Sequence, residues 1–186
     1  MIVSIVFWAC LVFLGYTLVL FPVLLLLRRL LSPRPYRAAD ITPSVSVVIA
    51  AYNEVDSIGA KLDNMLALTY PKDCLEIIVA SDGSDDGTDD VVRRYLDQGV
   101  RLLSLPRQGK AGALNAAVSE AHGEILVFSD ANSMYGSTAI QALVRPFADP
   151  EVGGVAGNQR YLDQQAGSAD NAGERGYWQL DRLLKR

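Results

Sequence analysis

The sequence predicts an α/β domain, a mostly parallel sheet flanked by helices, preceded by one transmembrane helix. Three observations predict it. Residues 1–27 carry no Asp, Glu, Lys, Arg or His. From Val45 onward, short β-branched apolar runs alternate with segments of helical spacing, the pattern of successive βαβ units. Clusters of Asp, Asn, Ser and Gly then follow four of those runs, at the strand ends where open α/β sheets take their ligands.

The apolar stretch Ile2–Leu27 comes first. About 20 residues of helix cross the ~30 Å hydrocarbon core, and helix is the conformation that satisfies the backbone in lipid. Pro22 is expected to kink its C-terminal turns. A cleaved signal peptide fits badly, because no basic segment precedes the run and no small-residue cleavage pattern ends it. The run is also too long for a buried core helix. Arg28, Arg29, Arg34 and Arg37 follow with no acid among them. That basic flank predicts a cytoplasmic side, hence a cell-membrane protein with its domain in the cytosol. The expected division is 1–31 transmembrane helix, 32–43 juxtamembrane linker stiffened by Ser32-Pro33-Arg34-Pro35, and 44–186 catalytic-type domain.

The elements of the domain follow in order. Val45–Ala50 reads as a buried strand, Ile58–Leu68 as a helix and Leu75–Ala80 as a second strand. Thr88–Asp97 reads as a helix with Asp89 and Asp90 in its first turn, Arg93 and Arg94 later and Gly99 beyond its end, a charge order that suits the helix dipole. Val100–Leu105 is a third strand, and Lys110–Ala121 a helix stopped at Gly123. Ile125–Ser129 is a fourth strand, Ser137–Phe147 a helix and Val152–Ala156 a fifth strand. Ser168–Arg186 reads as a polar amphipathic helix.

Composition narrows the function classes. Residues 38–186 hold 13 basic and 21 acidic side chains, a net charge of −8, which speaks against nucleic-acid binding through phosphate neutralisation. Cys10 and Cys74 make neither a disulfide framework nor a zinc site, and Cys74 reads as a reduced thiol near a core strand. His122, just before Gly123, reads as a helix C-terminal cation rather than a catalytic base.

After the four strands come Ala51-Tyr52-Asn53-Glu54, Ser81-Asp82-Gly83-Ser84-Asp85-Asp86-Gly87-Thr88, Pro106-Arg107-Gln108-Gly109-Lys110-Ala111-Gly112 and Ser129-Asp130-Ala131-Asn132-Ser133. A dinucleotide fingerprint fails, since Ala50–Gly59 holds one glycine where three are needed. A P-loop fails as well, because Ser104 stands at its first glycine position and Ala111 follows Gly109-Lys110. What remains is a diphosphate site built from carboxylates and a divalent cation. Asp130 is placed to bind Mg²⁺ or Mn²⁺, hard ions that pair carboxylates with phosphate oxygens. Lys110 at a helix N-terminus opposes the dipole, which calls for an anionic partner there. Asp85 and Asp86 read as caps rather than ligands.

Pro43–Glu54 and Glu76–Thr88, followed by Gly109-Lys110-Ala111-Gly112-Ala113-Leu114-Asn115 and Phe128-Ser129-Asp130-Ala131-Asn132, resemble the inverting family 2 glycosyltransferases with the GT-A fold, which is Rossmann-like. The resemblance covers roughly residues 43–185, in four ordered motifs. The helix ahead of the domain looks like that of membrane-bound, polysaccharide-synthase-like members. The resemblance implies a nucleotide-sugar donor, a UDP-sugar, and a saccharide or lipid acceptor. Ala50, Tyr52 and Glu54 would hold the nucleoside, Asp82 the uracil edge, and Lys110 would lie by the nucleotide. Asp130 would be the first carboxylate of the D-x-D metal motif, with Asn132 in its third position, an amide oxygen without charge.

The family's general base, an Asp in an acidic motif, and the Gln-x-x-Arg-Trp motif of processive members do not occur before Arg186. Asp163, Asp170 and Asp181 stand in no version of that acidic motif. The expectation is therefore a truncated chain holding the donor half, with the general base beyond Arg186. Two other classes stay open. Nucleotidyl transfer predicts a Gly- and Lys/Arg-rich loop after the first strand, where this chain has Ala51-Tyr52-Asn53-Glu54. A non-catalytic membrane-tethered nucleotide-sugar-binding protein also fits the missing base.

Overall fold

Apolar runs of six to eight residues become strands where helices can cover both of their faces. They do so here at Val45–Ala51 (β1), Leu75–Asp82 (β2), Val100–Leu105 (β3) and Ile125–Asp130 (β4). A computed structural model describes residues 1–31 and 35–158. Among the described residues the strands form one sheet in the order β3-β2-β1-β4, every neighbouring pair parallel. Between them run helices Val55–Leu66 (α3), Thr88–Arg93 (α4), Lys110–Glu120 (α5) and, after β4, Ala139–Val144 (α6). Arg37–Val155 is one compact unit.

Alternation along the strands sorts the core into two layers. Val45, Val47, Ile49 and Ala51 of β1 face one side, with Ile58, Leu62 and Met65 of α3, Val92 of α4, and Ile140 and Val144 of α6. Val48 of β1, with Ile78 and Ala80 of β2, faces the other, against Ala113 and Ala117 of α5. Those two alanines, four apart, let α5 lie close to the sheet. Cys74 is a free thiol packed against the first layer, as expected of it.

The predicted fifth strand is not formed. Residues 152–156 have no strand structure, and β4 is an edge of the described sheet. Gly153-Gly154 interrupts the short apolar run, and paired glycines lose backbone entropy without side chains to pack. Val155 is accordingly 37% exposed. Two predicted helices shorten for similar local reasons. Ser137–Phe147 becomes α6 followed by a 3₁₀ turn at Arg145–Ala148, because Pro146 has no N–H for the helical ladder. Thr88–Asp97 ends at Arg93, and a 3₁₀ turn at Leu96–Gln98 leads into Gly99, whose φ of +88° closes it. The helix predicted over 168–186, and Asp163, Asp170 and Asp181, lie outside the described residues.

Part of the predicted linker is tied to the domain. Arg37 N–H donates to Asp149 Oδ2 at 3.0 Å, Ala39 N–H to the Arg145 carbonyl at 3.3 Å, and Tyr70 Oη–H to the Pro43 carbonyl at 2.6 Å.

The N-terminal segment, described by itself, is a helix over Ile2–Gly15 (α1) and Phe21–Leu31 (α2) with one π turn, Tyr16–Leu20, between them. Its 30 residues are long and apolar enough to cross a membrane by length and composition. The irregularity lies on the N-terminal side of Pro22. A proline ring clashes with the carbonyl four residues earlier, here that of Leu18, and the wider π turn accommodates it. Arg28 and Arg29 occupy the last turn of α2, favourable at the negative end of the dipole.

At the N-terminal edge of the sheet, Glu76 ties four segments together. Its carboxylate accepts from Ser46 Oγ (2.5 Å) and His122 N–H (3.0 Å) on one oxygen, and from Arg101 (2.5 Å) on the other. His122 Nδ1 lies 3.1 Å from that second oxygen, at the end of the strands opposite the ligand edge, consistent with a structural role. Gly123 makes this approach possible, since a Cβ there would stand 2.4 Å from Ser46 N. Partial burial pushes the Glu76 carboxyl up, but hydrogen bonds from the His122 backbone, Ser46, the His122 ring and Arg101 outweigh it and hold the pKa at about 2, below the usual 4.5. A carboxylate depressed in this way contributes stability that is fully present above pH 4.5 and is lost as pH falls toward 2. Glu76→Gln is therefore expected to lower the unfolding free energy at pH 7 by about 1–2 kcal/mol after solvent screening, read as a lower denaturant midpoint. It should also flatten the acid limb between pH 4.5 and 2. An unchanged midpoint and acid limb in the variant would contradict this.

Candidate functional site

Parallel register decides which strand ends meet. Ala50 of β1 stands opposite Asp130 of β4, Ala51 opposite Ser81 of β2, and Asp82 of β2 opposite Leu105 of β3. The chain leaves β3 at one edge and returns as β4 beside β1, so the strand order reverses between β1 and β4. Crevices form at such reversals. Here an open cleft of about 250 Å³ is lined by Ala50, Tyr52, Glu54, Asp82, Lys110, Asp130 and Asn132, with Arg107 among its other walls. All seven residues singled out in the sequence meet in it.

The first two loops are stitched to each other. Asn53 adopts φ +54°, a conformation Asn tolerates better than most residues. Its side chain exchanges hydrogen bonds with Asp85, accepting from Asp85 N–H at 3.1 Å and donating to Oδ1 at 2.9 Å. Asp86 accepts from Thr88 N–H at 2.9 Å and from Val55 N–H at 3.0 Å, tying the starts of α4 and α3. Those hydrogen bonds, led by the Thr88 hydroxyl, hold its carboxyl below the usual range. Gly87 and Glu54 hold the N-cap positions of α4 and α3, so Asp85 and Asp86 are not the caps expected of them but ties between the two loops. Glu54 accepts from Ser57 Oγ at 2.5 Å, and its N–H donates to Thr88 Oγ1 at 2.8 Å.

Asp82 is buried, 2% exposed. Oδ1 accepts from Gln108 N–H (2.7 Å) and Gly109 N–H (3.1 Å), and Oδ2 from the Arg107 guanidinium (2.8 Å). It therefore fixes the loop after β3. An ionised carboxylate has about four acceptor sites, so roughly one remains open, on Oδ2. Gly83 lets the loops close, because a Cβ there would stand 2.9 Å from Arg107 N. Arg107 lies 3.3 Å above the centre of the Tyr52 ring, a stacked cation–π contact.

Lys110, the first residue of α5, forms an ion pair with Asp130 at 2.5 Å. Both side chains are more than half exposed, and exposed pairs contribute ~0–1 kcal/mol. A stronger ligand can therefore displace the pair. Among the described residues no three His, Cys, Asp or Glu side chains gather into a closed metal cage. The donor set still fits a divalent ion of the Mg²⁺ or Mn²⁺ kind, which uses one or two protein oxygens plus substrate phosphates. Asp130 already holds a cation in the form of Lys110, and Asn132 lines the same cleft.

One residue of the cleft and one buried behind it escape the sequence reading. Arg107 lies within the segment after β3, but nothing local indicates that it stacks on Tyr52. Lys61 is fully buried in α3, with Nζ donating to Ser129 Oγ at 2.8 Å and to the Ser133 carbonyl. Burial pulls its pKa down to about 8, and the Asp130 carboxylate pulls it back up. Its signal was its place three residues after Ile58 and four before Met65, on the apolar stripe of α3.

Comparison with known proteins gives concordant results. The family model described as "Glycosyl transferase family 2" matches residues 46–182. A poly-beta-1,6-N-acetyl-D-glucosamine synthase of Staphylococcus aureus (strain MSSA476) is 31% identical over 143 residues, covering 75% of this chain and 34% of that protein. The probable glycosyltransferase YdaM of Bacillus subtilis (strain 168) is 35% identical over 128 residues, covering 65% of this chain and 30% of that one. The chain thus spans about a third of the length of the curated relatives it matches. Among solved structures, the mannosyltransferase PcManGT from Pyrobaculum calidifontis, in complex with GDP-Man and Mn²⁺, superposes with a TM-score of 0.63. It is 35% identical, over 71% of this chain and 41% of that one.

Proposed function

The chain belongs to glycosyl transferase family 2, and from that premise we propose that its domain is the donor-binding part of an inverting glycosyltransferase using a UDP-sugar. The observation that carries the reading is the meeting of Asp82, Lys110 and Asp130 in one cleft at the reversal of strand order. On this reading Ala50, Tyr52 and Glu54 hold the nucleoside. The single open acceptor site of Asp82 suits uracil, whose edge carries one ring N–H, better than guanine, which presents two adjacent donors. Lys110 faces the diphosphate, and Asp130 with Asn132 holds Mg²⁺ or Mn²⁺. Such an ion stabilises negative charge on a leaving diphosphate.

A hydroxyl of a saccharide or lipid acceptor attacks the anomeric carbon in one displacement, which inverts it. Glu54, Asp82 and Asp130 serve the donor, so the carboxylate that takes the acceptor's proton is a separate residue. The chemistry suits polysaccharide or glycolipid synthesis. A GDP-sugar is the second reading, favoured by the GDP-Man held in the solved relative. Titration calorimetry with UDP and GDP, each with Mn²⁺ or with EDTA, separates the two. UDP with Mn²⁺ is expected to bind tightest. Tighter binding of GDP would transfer the reading to the second donor, and no binding of either nucleotide would end both.

The proposed location is the cell membrane, with residues 1–31 spanning it and the domain, 44–186, in the cytosol behind the 32–43 linker. The uncharged run and the Arg28-Arg29 end of α2 support it. Protease added to intact cells is expected to leave the domain uncut, and cleavage before permeabilisation would reverse the orientation.

A further inference from the structure

A lysine on the apolar stripe of a core helix carries a desolvation cost that must be offset by specific partners. The partners of Lys61 all lie in one place. Nζ donates to Ser129 Oγ at 2.8 Å and to the Ser133 carbonyl, and it stands 4.2 Å over the Tyr135 ring. One turn further along α3, Asn64 grips the same segment. Its Oδ1 accepts from Tyr135 N–H at 2.7 Å and its Nδ2 donates to the Tyr135 carbonyl at 2.9 Å. Residues three apart share a helix face, so α3 holds the chain on both sides of Asp130-Ala131-Asn132. The Asp130 carboxylate itself reaches out to Lys110, and among the described residues no backbone N–H donates to it. The sheet sets the Asp130 backbone opposite Ala50, but it sets neither the direction of the carboxylate nor the loop that carries Asn132, and both depend on how that loop is held.

We propose that Lys61, seconded by Asn64, is a positioning residue that fixes the loop after β4, so that Asp130 and Asn132 present their oxygens together to a divalent cation. The inference rests on the donor-site reading given above and assigns the buried face of α3 a part in it.

The test uses the full chain in detergent micelles, with UDP and Mn²⁺ as probes. Lys61→Met keeps the length of the side chain and removes its charge and donors. It is expected to weaken UDP binding at least tenfold with Mn²⁺, to change it less than twofold in EDTA, and to add less than twofold once Asp130 is already alanine. A purely structural role would lower both affinities alike and persist in the Asp130→Ala background, and either result overturns the proposal. Hydrogen exchange provides a readout independent of nucleotide. Amides of residues 131–135 are expected to exchange at least tenfold faster in Lys61→Met, with those of β1 and β2 unchanged. Unchanged protection at 131–135 overturns the proposal even if UDP binds. Faster exchange in a protein that binds no UDP supports the loop restraint and overturns the donor-site reading. Should Lys61→Met fail to fold, Asn64→Ala decides by the same comparisons, with threefold as the smallest supporting change.

Discussion

Asp130→Ala is expected to abolish the Mn²⁺-dependent part of UDP affinity and to leave a weak metal-independent remainder. The reason lies in the donor set. Asp130 is the one charged oxygen ligand that the end of β4 and the loop after it offer, and Asn132 adds an amide oxygen without charge. Loss of an outer-shell partner already costs roughly 10–100-fold in metal affinity, so loss of the carboxylate itself should cost at least that. The fold should barely register the change. The Asp130 side chain is 56% exposed and bonds to the Lys110 ammonium rather than to a backbone N–H, and surface substitutions of this kind cost within about 0.5 kcal/mol. Asn132→Asp is expected to act in the opposite direction and tighten Mn²⁺ binding by restoring a charge. Titrations with Mn²⁺ and with EDTA, on variants shown folded by circular dichroism, measure both. Unaltered Mn²⁺ dependence in Asp130→Ala would remove Asp130 from the metal site.

Asp82→Ala carries the second large effect, with a different signature. It should weaken UDP binding with or without metal, by about 1.5–3 kcal/mol for a lost charged hydrogen bond, or roughly tenfold to a hundredfold. Unlike Asp130, it should also reduce stability. Gln108 N–H and Gly109 N–H both donate to its Oδ1, and a buried donor left unsatisfied costs about 1–3 kcal/mol. Asp82→Asn separates the two roles, because its amide oxygen can still accept from the loop while the charge facing Arg107 is gone. It is expected to recover the part of the stability carried by the Gln108 and Gly109 N–H groups, to lose the bond from Arg107, which an amide N–H₂ cannot accept, and to recover little of the affinity. If Asp82→Ala and Asp130→Ala lose affinity equally and with the same metal dependence, the division into a base-reading and a metal-binding carboxylate is wrong.

The strands were legible because their signals are local. Val45–Ala51, Leu75–Asp82, Val100–Leu105 and Ile125–Asp130 are runs whose length and β-branching suit burial on both faces, and each ends at a polar turn. Reading fails where a local signal competes with a stronger one. Val152–Ala156 has apolar residues enough for a strand, and Gly153-Gly154 defeats it. Pro146 ends α6 earlier than the apolar spacing alone suggests. Lys61 escapes any periodicity because a lysine counts as polar there, although its position on the stripe of α3 is an apolar one.

By itself, the sequence determined the α/β class, the uncharged N-terminal helix, and the gathering of Asp82, Lys110, Asp130 and Asn132 at the carboxyl ends of the strands. These follow from hydrophobic period and from turn chemistry, which act over a few residues. Only the tertiary structure decided that β4 returns beside β1, which sets Asp130 opposite Ala50 and opens the cleft where the strand order reverses. It also decided that Arg107 stacks on Tyr52, that Asp82 spends most of its acceptor sites on the loop after β3, and that Lys61 holds the loop after β4 from within the core. Those contacts join residues 25 to 72 positions apart, and their partners are chosen by strand order and packing, which no local pattern encodes.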